Sequence, residues 1–174
     1  MDKYSKEDTM QDLQKELVKA IEKRDLNYIR TLVKQGADLN EPFTPIDMTP
    51  FLYAMNEFKK AEQIEELINL GGNPNIKNRH NETALMIAVD DNGCESVVPW
   101  VMIDCGLESL DDQDIWGNTA LMRVLLNPSI KPKRKKELIF AFLDYGADLT
   151  HIKNKRGLTA WDIIWDQMTD KKLV

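Results

Sequence analysis

Four stretches decide the fold: Thr49-Pro50-Phe51-Leu52-Tyr53-Ala54, Thr83-Ala84-Leu85-Met86-Ile87-Ala88, Thr119-Ala120-Leu121-Met122-Arg123-Val124 and Thr159-Ala160-Trp161-Asp162-Ile163-Ile164. Their threonines are 34, 36 and 40 residues apart. A second element precedes each one: Gly36-Ala37-Asp38-Leu39-Asn40, Gly71-Gly72-Asn73-Pro74-Asn75, Gly106-Leu107-Glu108 and Gly146-Ala147-Asp148-Leu149-Thr150. A supersecondary unit recurring at such a period cannot bury its apolar face alone, so the pattern predicts a stacked array.

Each part of the unit has a physical role. The threonine is expected at a helix N-terminus, where its hydroxyl accepts from an N–H that lacks a partner in the first turn. Leu85 with Ala88, and Leu121 with Val124, fall three apart and predict a narrow apolar stripe with small residues for close packing. Second helices are read from Ile64, Leu67 and Ile68, from Val97, Val98, Val101 and Met102, and from Leu138, Ile139, Phe142 and Leu143. Gly36, Gly71, Gly106 and Gly146 follow these stretches, where a left-handed helix cap is expected.

The signature and its period resemble the ankyrin repeat, whose unit is a turn, two antiparallel helices and a finger-like hairpin with a Thr-Pro-Leu-His-x-Ala motif. The resemblance runs from about residue 13 to the end and implies an all-α ankyrin-repeat solenoid forming one domain. Its expected units are an N-terminal cap at 9–40, then 41–75, 76–110, 111–150 and a truncated C-terminal cap at 151–174. In the cap, Asp25-Leu26-Asn27 stands at the inter-helix turn. The family histidine is replaced by Leu52, Met86, Met122 and Asp162, which implies a looser stack. Glycine-to-threonine spacings of 13, 12, 13 and 13 imply that three of the four fingers are one residue longer than usual. Residues 127–136, Asn-Pro-Ser-Ile-Lys-Pro-Lys-Arg-Lys-Lys, read as an insertion loop between two helices.

Binders of this family use the finger tips and the exposed side of the first helices. The resemblance therefore implies partner-binding positions at Ile46, Met48, Arg79, His80, Glu82, Ile115, Trp116, Asn118, Lys155 and Arg156 on the fingers, and at Asn56, Glu57, Asp90 and Asp91 on the helices. Trp116 is either a binding anchor, tryptophan being enriched among residues that dominate interface energy, or local packing against the next finger or the 111–113 segment. Trp100, Trp161 and Trp165 are expected in the core or shielding the open C-terminal end.

Composition narrows the function classes. The chain has 174 residues and net charge −6, enough for one core. Its longest apolar run, residues 97–103, has seven residues and includes Pro99, far short of the roughly 18 needed to span a bilayer. The charged start, Met1-Asp2-Lys3-Tyr4-Ser5-Lys6-Glu7-Asp8, lacks the apolar core of a secretory signal, so a cytoplasmic location is expected, and Asn81-Glu82-Thr83 carries no meaning as a glycosylation sequon. Cys94 and Cys105 read as buried thiols in one helical stretch. Neither they nor His80 and His151 have metal-ligand spacing, and no metal or cofactor is expected. Asp112-x-Asp114-x-Trp116-Gly117 begins like a calcium loop but fails at Trp116 and at Arg123, where the closing acid belongs.

Charge is uneven: residues 41–110 hold four basic and twelve acidic side chains, a net −8 that is read either as a solvated helix surface or as an attractive field for a protein partner with a cationic surface. The cluster Lys131-Pro132-Lys133-Arg134-Lys135-Lys136 is read as solvated, and the acidic chain as a poor match for nucleic acid. No phosphate-cradling glycine loop, HExxH or nucleophile with a matched histidine and carboxylate is present. The expected function is non-catalytic protein–protein interaction. The alternative is an inhibitor or immunity-type protein that neutralises a toxic enzyme by occlusion.

Overall fold

A computed structural model describes residues 6–58, 60–90 and 110–169, without the side chains of residues 6–8. Eight helices and no strand are found among the described residues: α1 (Lys6–Glu22), α2 (Leu26–Lys34), α3 (Pro50–Glu57), α4 (Ala61–Asn69), α5 (Ala84–Asp90), α6 (Ala120–Leu126), α7 (Pro132–Asp144) and α8 (Ala160–Thr169). The protein is therefore all-helical there. None of these helices is long and apolar enough to cross a membrane.

Four of the helices begin because a threonine starts them. Thr49 Oγ1 accepts from the Leu52 amide (3.1 Å), Thr83 from Met86 (3.4 Å), Thr119 from Met122 (3.3 Å) and Thr159 from Asp162 (3.1 Å), and all four threonines are buried. At α8 the cap is reciprocal, since the Asp162 carboxylate accepts from both the amide and the hydroxyl of Thr159. These bonds to the charged form hold Asp162 below the usual carboxylate value. The family histidine's position thus still supplies a hydrogen bond in this unit, although within one helix start. In the cap, Asp25 accepts from the Tyr28 amide and starts α2, as its place at the turn predicts.

Helices α1, α3, α5, α6 and α8 pack one on the next in a row, and α2, α4 and α7 lie against α1, α3 and α6. The core runs along that row through Leu17, Ile21, Phe51, Leu52, Met55, Leu85, Val89, Leu121, Val124 and Ile163. This overturns the narrow stripe expected for the first helices. Ala84 through Val89 are all buried, and in α6 only Arg123 and Leu126 escape full burial between Ala120 and Leu126. A helix in the middle of a row has neighbours on two opposite sides, and a single stripe would leave one of them facing polar groups. Ile64 and Leu67, and Leu138 and Phe142, are buried from the outer layer as their spacing predicts, with Ile68 and Ile139 half-buried against them. The stretch holding Val97, Val98, Trp100, Val101, Met102, Cys94, Cys105 and Gly106 lies outside the described residues.

One expectation is corrected here and another is narrowed. The basic stretch after Lys131 is not a loop: α7 starts at Pro132, whose fixed φ suits a first helical position, so Lys133, Arg134, Lys135 and Lys136 form its opening turns. Lys135 Nζ donates to the Leu125 carbonyl (2.9 Å), which also accepts from Gln167 Nε2 (2.8 Å), so part of this charge closes the end of α6. Of the two places expected for Trp161 and Trp165, the core is excluded and the open end at α8, last in the row, is left. They are about half exposed, and with Met168 they follow a one-face helical spacing on α8, away from the buried Ala160 and Ile163.

Candidate functional site

The turns that precede α3, α5, α6 and α8 are built alike. A polar residue five before each capping threonine closes the turn: Asn78 Oδ1 accepts from the His80 and Glu82 amides (2.9 and 3.0 Å), Asp114 Oδ1 from Trp116 and Asn118 (both 2.8 Å), and Asn154 Oδ1 from Arg156 and Leu158 (2.9 and 3.1 Å). Thr44 does the same work for Met48 through its hydroxyl (3.1 Å). Two residues before each threonine, Asp47, Asn81, Gly117 and Gly157 all have positive φ. The tip turns are thus equal in length, and the register difference among units lies upstream of them. Asn78, Asp114 and Asn154 are buried, which is why their side chains turn inward to the backbone. The same bonds engage the carboxylates of the calcium-like stretch: Asp114 Oδ1 accepts from two amides and Asp112 pairs with Lys77 (2.8 Å). Among the described residues no group of three His, Cys, Asp or Glu side chains could hold a metal.

Successive turns are stitched together at their tips. Arg79 N donates to the Ile46 carbonyl (3.0 Å), Ile115 N to His80 (2.9 Å) and Lys155 N to Trp116 (2.9 Å). This ladder brings Ile46, Arg79, His80, Ile115, Trp116, Lys155 and Arg156 into one strip. Trp116 is 52% exposed, and its ring sits 6.2 Å from that of His80 on the preceding turn. Arg79 Nε pairs with Asp47 (2.9 Å), while Lys155 and Arg156 are exposed and form no ion pair among the described residues.

The other expected positions do different work. Met48 is half-buried against the core, and Glu57 pairs with Arg24 (3.4 Å). Asn56 is exposed near the end of α3. Asn118 Oδ1 accepts from Asn154 Nδ2 (3.0 Å) and so ties two turns together. Asp91 lies outside the described residues. Glu82 and Asp90 converge on Arg123 of α6, a residue that sequence reading noted only for spoiling a calcium loop. Its side chain is 13% exposed; Nη2 contacts Glu82 Oε1 at 2.8 Å and the Asp90 carboxylate, and Nη1 lies 3.7 Å from Asp114 Oδ2. Burial pushes the Glu82 carboxyl up, but hydrogen bonds from Asn78 and Arg123 and the guanidinium charge outweigh it and hold it below the usual value. At Asp90 burial dominates, and Arg123 only partly offsets the upward shift. Burial alone would lower the Arg123 pKa, yet the bonds and charges of Glu82 and Asp90 raise it.

Part of the acidic middle is engaged within the described residues. Asp47, Glu57, Glu66, Glu82 and Asp90 each sit in an ion pair, and the exposed Glu62 and Glu65 belong to α4 in the outer layer.

No family model matches the chain. Its sequence is 36% identical over 134 residues, 73% of the chain, to a Plasmodium falciparum protein named "Putative E3 ubiquitin-protein ligase protein". It is 33% identical over 84 residues, 45% of the chain, to a fowlpox virus protein named "Putative ankyrin repeat protein". The chain spans 1% and 13% of the lengths of these two relatives.

Proposed function

We propose that this protein is an ankyrin-type repeat module that binds a protein partner stoichiometrically, without turnover, through the strip of turn tips and the adjoining ends of the inner helices. The observation that carries the reading is the exposed Trp116 in a strip whose backbone is fixed: a large aromatic held open to water on a rigid turn offers apolar area that a partner buries at little cost in ordering. The similarity to a fowlpox protein named for its ankyrin repeats supports the repeat assignment, and the row of capped helices with equal, stitched turns is what such a repeat requires. An inhibitor that occludes an enzyme would use the same strip and differs only in the identity of its partner.

Affinity capture of partners by wild type and by Trp116→Ala plus Arg79→Ala tests this. Both side chains are exposed, so the double variant should fold, with an unchanged melting temperature as the check. The reading expects at least one partner retained by wild type and lost from the variant. Equal recovery of every partner by both forms removes the strip from the binding surface.

A further inference from the structure

We infer that the turn-tip strip receives an acidic segment of its partner, one that presents an apolar side chain to Trp116 and carboxylates to Lys155 and Arg156; this rests on the protein-binding reading above. The sign is opposite to the one that total charge implies, and local pairing explains the difference.

The ladder repeats with a fixed register. Each bond runs from the residue four before a capping threonine to the residue three before the previous one, so Ile46, His80, Trp116 and Arg156 occupy one set of equivalent positions and Pro45, Arg79, Ile115 and Lys155 the other. The 6.2 Å spacing of the His80 and Trp116 rings agrees with that register. One end of the strip is thus apolar at Ile46, the middle aromatic, and the far end cationic at Lys155 and Arg156.

Most of the described carboxylates near the strip are already engaged. Asp47 holds Arg79, Asp112 holds Lys77, and Glu82, Asp90 and Asp114 surround Arg123, with Glu82 Oε2 also 3.8 Å from His80 Nδ1. Asp162 is turned to the amide and hydroxyl of Thr159. Lys155 and Arg156, both exposed and without an ion pair among the described residues, carry the uncompensated charge beside Trp116. Unpaired cations carried on a backbone tied beside a half-exposed aromatic favour a carboxylate-rich segment with an apolar anchor, the charge guiding encounter and the anchor holding it. Nucleic acid fits less well: two free cations neutralise few phosphates, and the chain as a whole is net −6.

Selection of a displayed random peptide library, about twelve residues long, on the full chain tests the inference. Recovered peptides are then titrated against wild type, Lys155→Glu plus Arg156→Glu, and Trp116→Ala at low and moderate salt, with thermal melts confirming that each variant folds. Recovered sequences should concentrate Asp and Glu around an aromatic or aliphatic residue, bind more weakly as salt rises, and lose about tenfold or more in affinity with either variant. Peptides that are basic or uncharged, or that bind the charge-reversed form unchanged, overturn this inference and leave the protein-binding reading standing. A library that yields no binder counts against both. Oligouridylate bound more tightly than any peptide, and lost in the same variants, reassigns the strip to nucleic acid.

Discussion

Gly146 and Gly72 carry different constraints at the scale of one residue. Gly146 has φ +88 with nothing within 4 Å of an added Cβ, so alanine there meets only backbone strain. At Gly72 an added Cβ would lie 2.2 Å from Phe51 Cδ2 and 2.8 Å from the Leu67 carbonyl oxygen, so Phe51, fully buried, would have to move. Denaturant melts should put Gly146→Ala about 1 kcal/mol below wild type and Gly72→Ala lower still, by ~2 kcal/mol or more. A Gly146 variant as stable as wild type would remove the left-handed cap. Asn154→Ala strips the acceptor from two amides of the last turn and should cost ~2 kcal/mol. An equally stable variant would show that water replaces those bonds. The capping glycine and threonine were readable because each satisfies a need of a single helix end. The turn-closing residue was not, since Thr44, Asn78, Asp114 and Asn154 share an acceptor oxygen but no single residue type.

Arg123 joins elements that the one-dimensional pattern keeps apart: Glu82 from the turn before α5, Asp90 from its end, and Asp114 from the next turn. Ion-pair partners so distant in sequence leave no periodic trace. The same residues, read by spacing alone, looked like surface positions or a failed metal loop. Arg123→Met leaves the mostly buried Glu82 and Asp114 and the exposed Asp90 without their cation and should destabilise by about 3 kcal/mol in equilibrium unfolding. A loss under about 1 kcal/mol would mean that the cluster is solvated in solution. The pH response follows from the opposed shifts. Glu82, held below its ordinary 4.5, adds stability at neutral pH that is lost as pH falls through its lowered value. Asp90, raised above its ordinary 3.8, binds its proton more readily in the folded state and works against that loss. Glu82→Gln should therefore show a smaller fall in melting temperature than wild type between about pH 5 and pH 3. An identical fall in both would assign the acid sensitivity to other groups.

Across the described residues, the threonines and Gly36, Gly71 and Gly146 foretold where inner helices begin and where outer helices end. What the period does not encode is which charges remain after folding. Summed along the chain, residues 41–110 are strongly acidic. Folded, Asp47, Glu57, Glu66, Glu82 and Asp90 are bound in ion pairs, Glu62 and Glu65 stand on the outer layer, and the turn tips keep Lys155 and Arg156. The sequence left Trp116 between an open anchor and local packing, because its exposure depends on the ladder that fixes its turn beside the next one. The central claim, that a protein partner sits on the turn tips and not on the outer helices, is tested most directly by site-specific photo-crosslinking. A photoreactive amino acid is placed at Trp116 in one form and at the exposed Glu65 of α4 in another, and each is irradiated in native extract. The account predicts a discrete crosslinked partner from position 116 that is absent from position 65. The same partner captured equally from both positions, or from position 65 alone, would contradict it.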